Sequence, residues 1–455
     1  MRILLAFFLA LTGVSAEAES ELFAVTTTFE VVGSTGRIGL DGGYPTVTNE
    51  FTVHSDAVVR HFGRYVYVVN RLFADNVLVL DAGDDYSVVR QFSVSSTGLN
   101  PRDVEAMRDD KAYVSLFESN TLLVCNPLTG ATLTTIDLSA FADADGTVEA
   151  DQMVRVGDRV FLALQRLDRR VSPWAPTGLS TIVVIDTVTD TLIDVDADTP
   201  GVQGIALEAQ NPYWDLRYDT DRQRVLTINP GAFGALDGGL EAVQPFTLES
   251  DGIVVSESAL GGDLLDAALV SDTIGWALIS TSTFSTCLVR FDPSRGTKTD
   301  TILCTPGFDL SDLEVSRDGR LFVGDRRAAN PGVRVFDATT GAALAGPIGV
   351  GLPPFDFTLI EGVPTDAPVA TPRTTLRAFP NPFNPTVTIA VDGVDDGRIE
   401  IVDARGRRVR TLELRGGRAT WRGDTTDGTP AASGTYRARL VGRPQAAPIP
   451  LTLVR

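Results

Sequence analysis

One short pattern, an Asp that opens a brief apolar strand, recurs along most of this 455-residue chain. It reads SDAVV at Asp56, RDVEAM at Asp103, ADQMV at Asp151, WDLRY at Asp215, LDAAL at Asp266, SDLEV at Asp312 and FDFTL at Asp356. The spacings are 47, 48, 64, 51, 46 and 44 residues, and a repeat of that length restricts the fold more than composition can. After most of these positions a tight polar turn leads into a second strand, as in RYVYVVN, KAYVSLF, RVFLALQ and RLFVGDR. A third strand often ends at Asp or Asn, as in NVLVLDA and TLLVCNPLTG, and several units add a fourth.

Four short strands per unit predict one antiparallel sheet per repeat, the blade of a β-propeller. The seventh unit breaks off after FDFTLIEG, while residues 21–53 parallel residues 320–350. The N-terminal segment is therefore expected to supply three outer strands of a blade whose inner strand is residues 355–362. Such closure removes an exposed sheet edge and favours seven blades over six, in a propeller spanning residues 21–363. The all-β class agrees with 42 Gly, 25 Pro and short segments rich in Val, Thr and Leu. Two units, YVYVVNRLFADNVLVLDA and AYVSLFESNTLLVCNPLTG, resemble the YVTN group of β-propellers. That resemblance implies a fold rather than an activity, because propellers carry many functions.

The N-terminus, MRILLAFFLALTGVSAEAES, has one cation at Arg2, an apolar run from Ile3 to Leu11, and small residues at Ala16 and Ala18. It reads as a secretory signal peptide over residues 1–16, cleaved after Ala16 or Ala18. Its apolar core is shorter than the roughly 20 residues a membrane span requires, and no later segment is expected to cross. Export permits disulfides. In CLVRFDPSRGTKTDTILC, Cys287 and Cys304 are equidistant from a turn at Arg295/Gly296, which would set them opposite each other in a hairpin. Cys125 remains as a lone, buried thiol.

Residues 371–455 hold 14 Arg, no Lys and 8 acidic residues, a net +6, so the rest of the chain carries −26 of the overall −20. An acidic body suits neither nucleic acid nor an anionic membrane; it suits solubility, cation binding or a basic partner. The seven Asp residues would gather at one mouth of the propeller channel, where they could bind a cation or basic ligand, or simply bond backbone N–H groups at each strand entry. A second acidic group, Asp143, Asp145 and Glu149 in FADADGTVEADQ, offers closely spaced oxygens beside a Gly turn, a possible Ca²⁺ loop without the EF-hand spacing. No other cofactor is indicated.

The long insertion QRLDRRVSPWAPTG places Arg166, Arg169, Arg170 and Trp174 together, a set that could recognise a carboxylate or a sugar. Tyr213 and Trp214 at the fourth unit are a comparable candidate. The only histidines are His54 and His61, and no GxSxG, HExxH, P-loop or CxxC motif is present. His54, two residues before Asp56, is the one candidate for a channel-mouth base.

Residues 364–377, PTDAPVATPRTTLR, read as a stiff linker. The remainder, 378–455, offers six short strands separated by Gly turns, the pattern of a small β-sandwich. Phe379 and Phe383, in the proline-rich seam FPNPFNPTVTI, are expected to pack on its first strand. That seam, IVDARGRRVRTL, Trp421 with Gly423, and DGTPAASGTYRARL together resemble the C-terminal sorting domain of type IX secretion, related to the flagellar hook-cap immunoglobulin-like domain. The chain departs from that family's pattern at Arg422 and in its mild final strand LTLVR.

The resemblance implies delivery through the periplasm to the outer surface or medium, with residues 378–455 contacting the secretion machinery. The combined expectation is a secreted or surface propeller that binds a glycan or protein. The alternatives are a secreted lyase or hydrolase acting on polysaccharide or peptide, and an architectural surface protein.

Overall fold

The computed structural model describes residues 19–30, 32–94, 98–178, 180–361, 376–379, 381, 383–391, 394, 396–403, 407–441 and 448–455. The leader at 1–16 and nearly all of the linker at 364–377 lie outside them. The chain divides into two compact units, Met1–Val363 and Pro364–Arg455.

The first unit is built of four-stranded antiparallel sheets in propeller-like succession. Sheet 1 runs through Ala57–Phe62, Tyr65–Asn70, Asn76–Asp81 and Ser87–Ser93; sheet 2 through Pro101–Arg108, Lys111–Leu116, Thr121–Asn126 and Ala131–Asp137. Sheet 3 comprises Ala150–Val156, Arg159–Leu164, Thr181–Asp186 and Thr191–Ile193, with Ile205–Ala206 added beside its third strand. Sheet 4 spans Leu216–Ser256, sheet 5 Asp263–Pro306 and sheet 6 Leu310–Ile348. In sheet 7 the first strand is Pro354–Glu361, and the chain's beginning supplies the others in the order Glu19–Thr27, Val32–Gly39 and Thr46–His54.

Local chemistry explains each meander. The first two strands of sheet 1 join through Gly63–Arg64, since Phe62 pairs with Tyr65, and Gly63 takes φ +57° as the hairpin twist demands. Gly157–Asp158 repeats this in sheet 3, with Gly157 at +63°. The second strands, such as YVYVVN and RVFLAL, are apolar on both faces because each sheet is packed on both sides. The core lies between neighbouring sheets: Val58, Tyr67, Val69 and Val79 of sheet 1 pack on Val104, Ala112, Val114 and Leu123 of sheet 2. On its other face Val59, Val66 and Val68 meet Phe23 and Val25 of sheet 7. The fourth strands, by contrast, are largely exposed, as in Ala131–Asp137.

Cys287 and Cys304 face each other across the third and fourth strands of sheet 5 and are joined by a disulfide. Cys125 is buried and free, and its burial pushes the thiol up to about 12.

The second unit is a β-sandwich. One sheet holds Leu376–Phe379, Val387–Val391 and Arg418–Trp421; the other holds Gly397–Val402, Arg408–Leu414, Gly434–Leu440 and Ile449–Leu453. Trp421 is fully buried at its centre, 5.0 Å from the Tyr436 ring and 5.4 Å from Phe383, and donates its indole N–H to the Asp424 carbonyl at 2.8 Å. The strand Leu376–Phe379 begins inside the stretch read as linker, because Leu376 is buried in this core and pairs with Val391. Of the two phenylalanines in the proline-rich seam only Phe383 is buried; Phe379 ends its strand 45% exposed.

The disulfide closes a loop with a sequence separation of 17, a constraint on the unfolded chain of about 3 kcal/mol. The double variant Cys287→Ser/Cys304→Ser is expected to unfold at correspondingly lower urea concentration, measured by tryptophan fluorescence.

Candidate functional site

The first strands of the sheets pack side by side: Ala57–Phe62 lies between Pro354–Glu361 and Pro101–Arg108, which in turn meets Ala150–Val156. Among the described residues no ladder of hydrogen bonds joins one sheet to the next, so amides on these strands need partners from side chains. Asp103, Asp266, Asp312 and Asp356 supply them. Asp103 accepts the Val104 N–H (2.9 Å) with one oxygen and the Met153 N–H of sheet 3 (2.7 Å) with the other. Asp266 bonds Ala267 and Leu313 in the same way, Asp312 bonds Leu313 and Phe357, and Asp356 receives Val59 N–H at 2.6 Å.

Two arginines pin this cluster. Arg60 reaches Asp103 (2.8 Å), Asp356 (3.4 Å) and Gln152, while Arg217 reaches Asp215 (2.7 Å), Glu314 (3.0 Å), Asp266 (3.5 Å) and the Leu313 carbonyl (2.8 Å). Burial nonetheless dominates the carboxyl groups. It raises Asp103 and Asp356 to about 6 against the pull of Arg60, and Glu314 to about 7 against that of Arg217. Burial and neighbouring Asp103 push Glu105 up to about 8, and burial with Asp356, Asp266 and Glu314 holds Asp312 well above the usual range. A pocket of about 60 Å³ beside Arg60, Asp215 and Glu314 admits water but no larger ligand, while a wider one of about 430 Å³ opens beside Glu314, His61 and Thr358.

Asp56 and Asp151 stand apart from this cluster. The amide bonded from Asp103 belongs to Met153, and that bonded from Asp356 belongs to Val59, so Gln152 and Val58 occupy the positions that Asp fills elsewhere. A shift of one or two residues sends Asp56 to Arg71 (2.5 Å) and Asp151 to Arg102 (3.0 Å) and Gln165, near Tyr213. His54 is engaged too: Nδ1 accepts the Asp56 N–H at 3.2 Å.

Above the carboxylates the strand entries carry rings. Trp214 stacks edge-on to Phe355 (5.2 Å), which meets Phe29 (5.2 Å), while Tyr213 contacts Trp214 (5.8 Å) and Phe233 (6.3 Å). Arg71 and Arg326 lie over the Phe355 ring at 5.7 and 5.9 Å, and Arg326 lies 4.3 Å over Phe29. The insertion of sheet 3 adds a second group, in which Trp174 stacks on Phe117 (6.1 Å, 20°) with Arg169 5.8 Å over each ring.

Arg169 also pairs with Glu118 and Glu149, and its N–H bonds Asp145. Glu149 accepts the Leu167 N–H and Asp143 the Thr177 hydroxyl, so this acidic group braces the insertion. Among the described residues no three His, Cys, Asp or Glu are arranged to hold a metal ion. Arg166 accepts Thr177 N–H at its carbonyl, and Arg170 pairs with Asp168.

Several of these partners were not singled out from the sequence. Arg60, Glu105, Arg217 and Glu314 follow an Asp of the repeat by two or four residues, the spacing that puts side chains on one strand face. Phe355 simply precedes Asp356.

Raised carboxyl groups favour the folded state when protonated. That contribution is complete below the unfolded value of about 4.5 and is lost as pH rises towards about 8 for Glu105. The melting temperature is therefore expected to fall across this window, and Glu105→Gln to flatten the slope, measured by calorimetry at pH 4.5 to 8.5.

Residues 377–443 match the secretion system C-terminal sorting domain. A domain of this kind implies export to the cell surface or extracellular space through a secretion machinery. Among the described residues no helix is long and apolar enough to cross a membrane. No curated protein matches the sequence. Among solved structures the chain is similar to PorZ, an essential bacterial surface component of the type-IX secretion system of Porphyromonas gingivalis, at 13% identity and TM-score 0.42. That similarity covers 94% of this chain and 64% of the other, so the chain spans less than two thirds of PorZ. A functionally unknown protein from Desulfotomaculum acetoxidans is similar at 13% identity and TM-score 0.49, over 75% of this chain and 99% of that one. Apo AztD from Citrobacter koseri is similar at 12% identity and TM-score 0.44, over 75% and 98%.

Proposed function

We propose that this chain is a surface-delivered binding protein: a seven-bladed propeller, closed by its N-terminal strands, that presents a ligand-binding rim and is exported by its sorting domain. Closure is supported by the pairing of Glu19–Thr27 with Pro354–Glu361 and by the side-by-side packing of Pro354–Glu361 on Ala57–Phe62.

The rim carries the functional reading. In an antiparallel meander the entry to the first strand and the turn from second to third strand lie at the same end. Those second-to-third connections hold Phe29, Phe73, Trp174, Phe233 and Phe284, all more than half exposed. Exposed aromatic side chains gathered at one end of a rigid scaffold suit recognition, whereas the carboxylates beneath are committed to amides and arginines. Trp174 with Arg169, and Trp214 over the channel entry, are the residues to which we assign contact with the ligand, and Arg166 supports the same insertion.

Deleting residues 378–455 is expected to leave the protein in the periplasm, measured by immunoblot of periplasmic, surface and medium fractions. Normal surface delivery of that truncation would defeat the export half of the proposal.

A further inference from the structure

The rim contains a cavity of about 600 Å³ between sheets 4, 5 and 6, a size suited to a small-molecule or oligosaccharide ligand. Phe233, Phe284 and Phe308 line it, exposed by 58%, 74% and 62% respectively. Asp263, Ser280, Thr281, Ser282 and Tyr213 are its polar lining residues. No Lys or Arg lines it, which makes it a poor site for an anion.

Two features narrow the ligand further. Asp263 is only 8% exposed; one carboxylate oxygen accepts the Gly234 N–H at 2.6 Å, and the other has no hydrogen bond among the described residues. A purely hydrocarbon occupant would leave that oxygen and the Ser280 hydroxyl without partners, at a cost. The rings, moreover, are spread out. Phe233 contacts Tyr213, and none of Phe233, Phe284 and Phe308 stacks on another, so they are separate platforms rather than a cage around one ammonium group.

Phe284 is held outward against its own backbone preference. Its φ is +55°, a region that favours glycine, and the turn is fixed by Phe284 N–H to the Thr281 carbonyl (2.9 Å) and Gly307 N–H to the Phe284 carbonyl (2.7 Å). A bulky exposed ring kept in a strained conformation indicates a use for the ring.

We infer that this cavity binds a neutral oligosaccharide, with C–H faces of sugar rings on Phe284, Phe233 and Phe308 and hydroxyl groups donated to Asp263. This deepens the surface-binding reading and rests on it.

The test is calorimetric titration of the whole mature chain with cello-, malto-, xylo-, manno- and chitohexaose, and with hexalysine as the cationic probe. At least one neutral hexasaccharide should bind, and Phe284→Gly and Asp263→Asn should each weaken it at least tenfold. Phe284→Gly relieves the left-handed backbone, and Asp263→Asn keeps an acceptor for Gly234, so neither should lower the melting temperature. Binding by none of the five sugars, or binding unchanged in both variants, would overturn the inference. Hexalysine binding abolished by Phe284→Gly would overturn the sugar assignment while leaving rim recognition standing. Delivery is read separately, from the tail deletion.

Discussion

A buried carboxylate that accepts the backbone amide of the neighbouring sheet's first strand is the interaction on which the body depends. Sheets packed face to face share side chains but no ladder, so inner-strand amides at the centre would otherwise be desolvated without partners. Asp103, Asp266, Asp312 and Asp356 meet that need, and each ties two sheets with one side chain. The arrangement creates a second demand, because several carboxylates then share a small dry volume. Arg60 and Arg217 satisfy part of it, and burial holds Glu105 and Glu314 above the usual carboxylate range, which favours their protonated forms.

The centre is thereby committed to holding the sheets together. Arg60 alone contacts side chains from sheets 2, 3 and 7, and Arg217 contacts sheets 5 and 6. Removing either would strand buried charge and cost the sheets cohesion. Trp214, itself at φ +74°, and Phe355 cover the entry. In the connections above them Phe29, Phe73 and Phe284 repeat the same combination of exposure and positive φ, which is where the proposed recognition is assigned. Because these turns recur from sheet to sheet, one local geometry supplies several aromatic contacts.

The period of the Asp pattern made the sheet succession legible, and the symmetry of Cys287 and Cys304 about one turn made the disulfide legible. Both are local spacing problems. What spacing could not resolve was register. Asp56 and Asp151 match the repeat by eye, yet a shift of one or two residues turns them to Arg71 and Arg102. Cross-sheet partners were harder still: nothing in the sequence near Arg217 announces Glu314, 97 residues away. The aromatic rim was half visible, as Trp174 and Trp214, because tryptophan draws notice; Phe284 and Phe308 look like ordinary strand-flanking residues until their exposure is known.

The tail shows a different relation between motif and structure. Its recognisable positions resolve into packing: Phe383, Trp421 and Tyr436 form one aromatic contact chain, and Gly423 sits at φ +65° where a Cβ would come 3.0 Å from the Pro385 carbonyl oxygen. Those residues specify that the sandwich folds. They are buried or sterically confined, so a secretion machinery that recognises the folded domain must read other groups. Among the exposed guanidinium groups, Arg407 pairs with Asp403 at 2.8 Å, while Arg408 and Arg439 both neighbour Glu400. Arg422 and the closing LTLVR strand, where this chain departs from the family pattern, leave the aromatic core intact. Leu451 and Leu453 of that last strand are themselves buried in the core, so the departure in sequence keeps the strand's packing role.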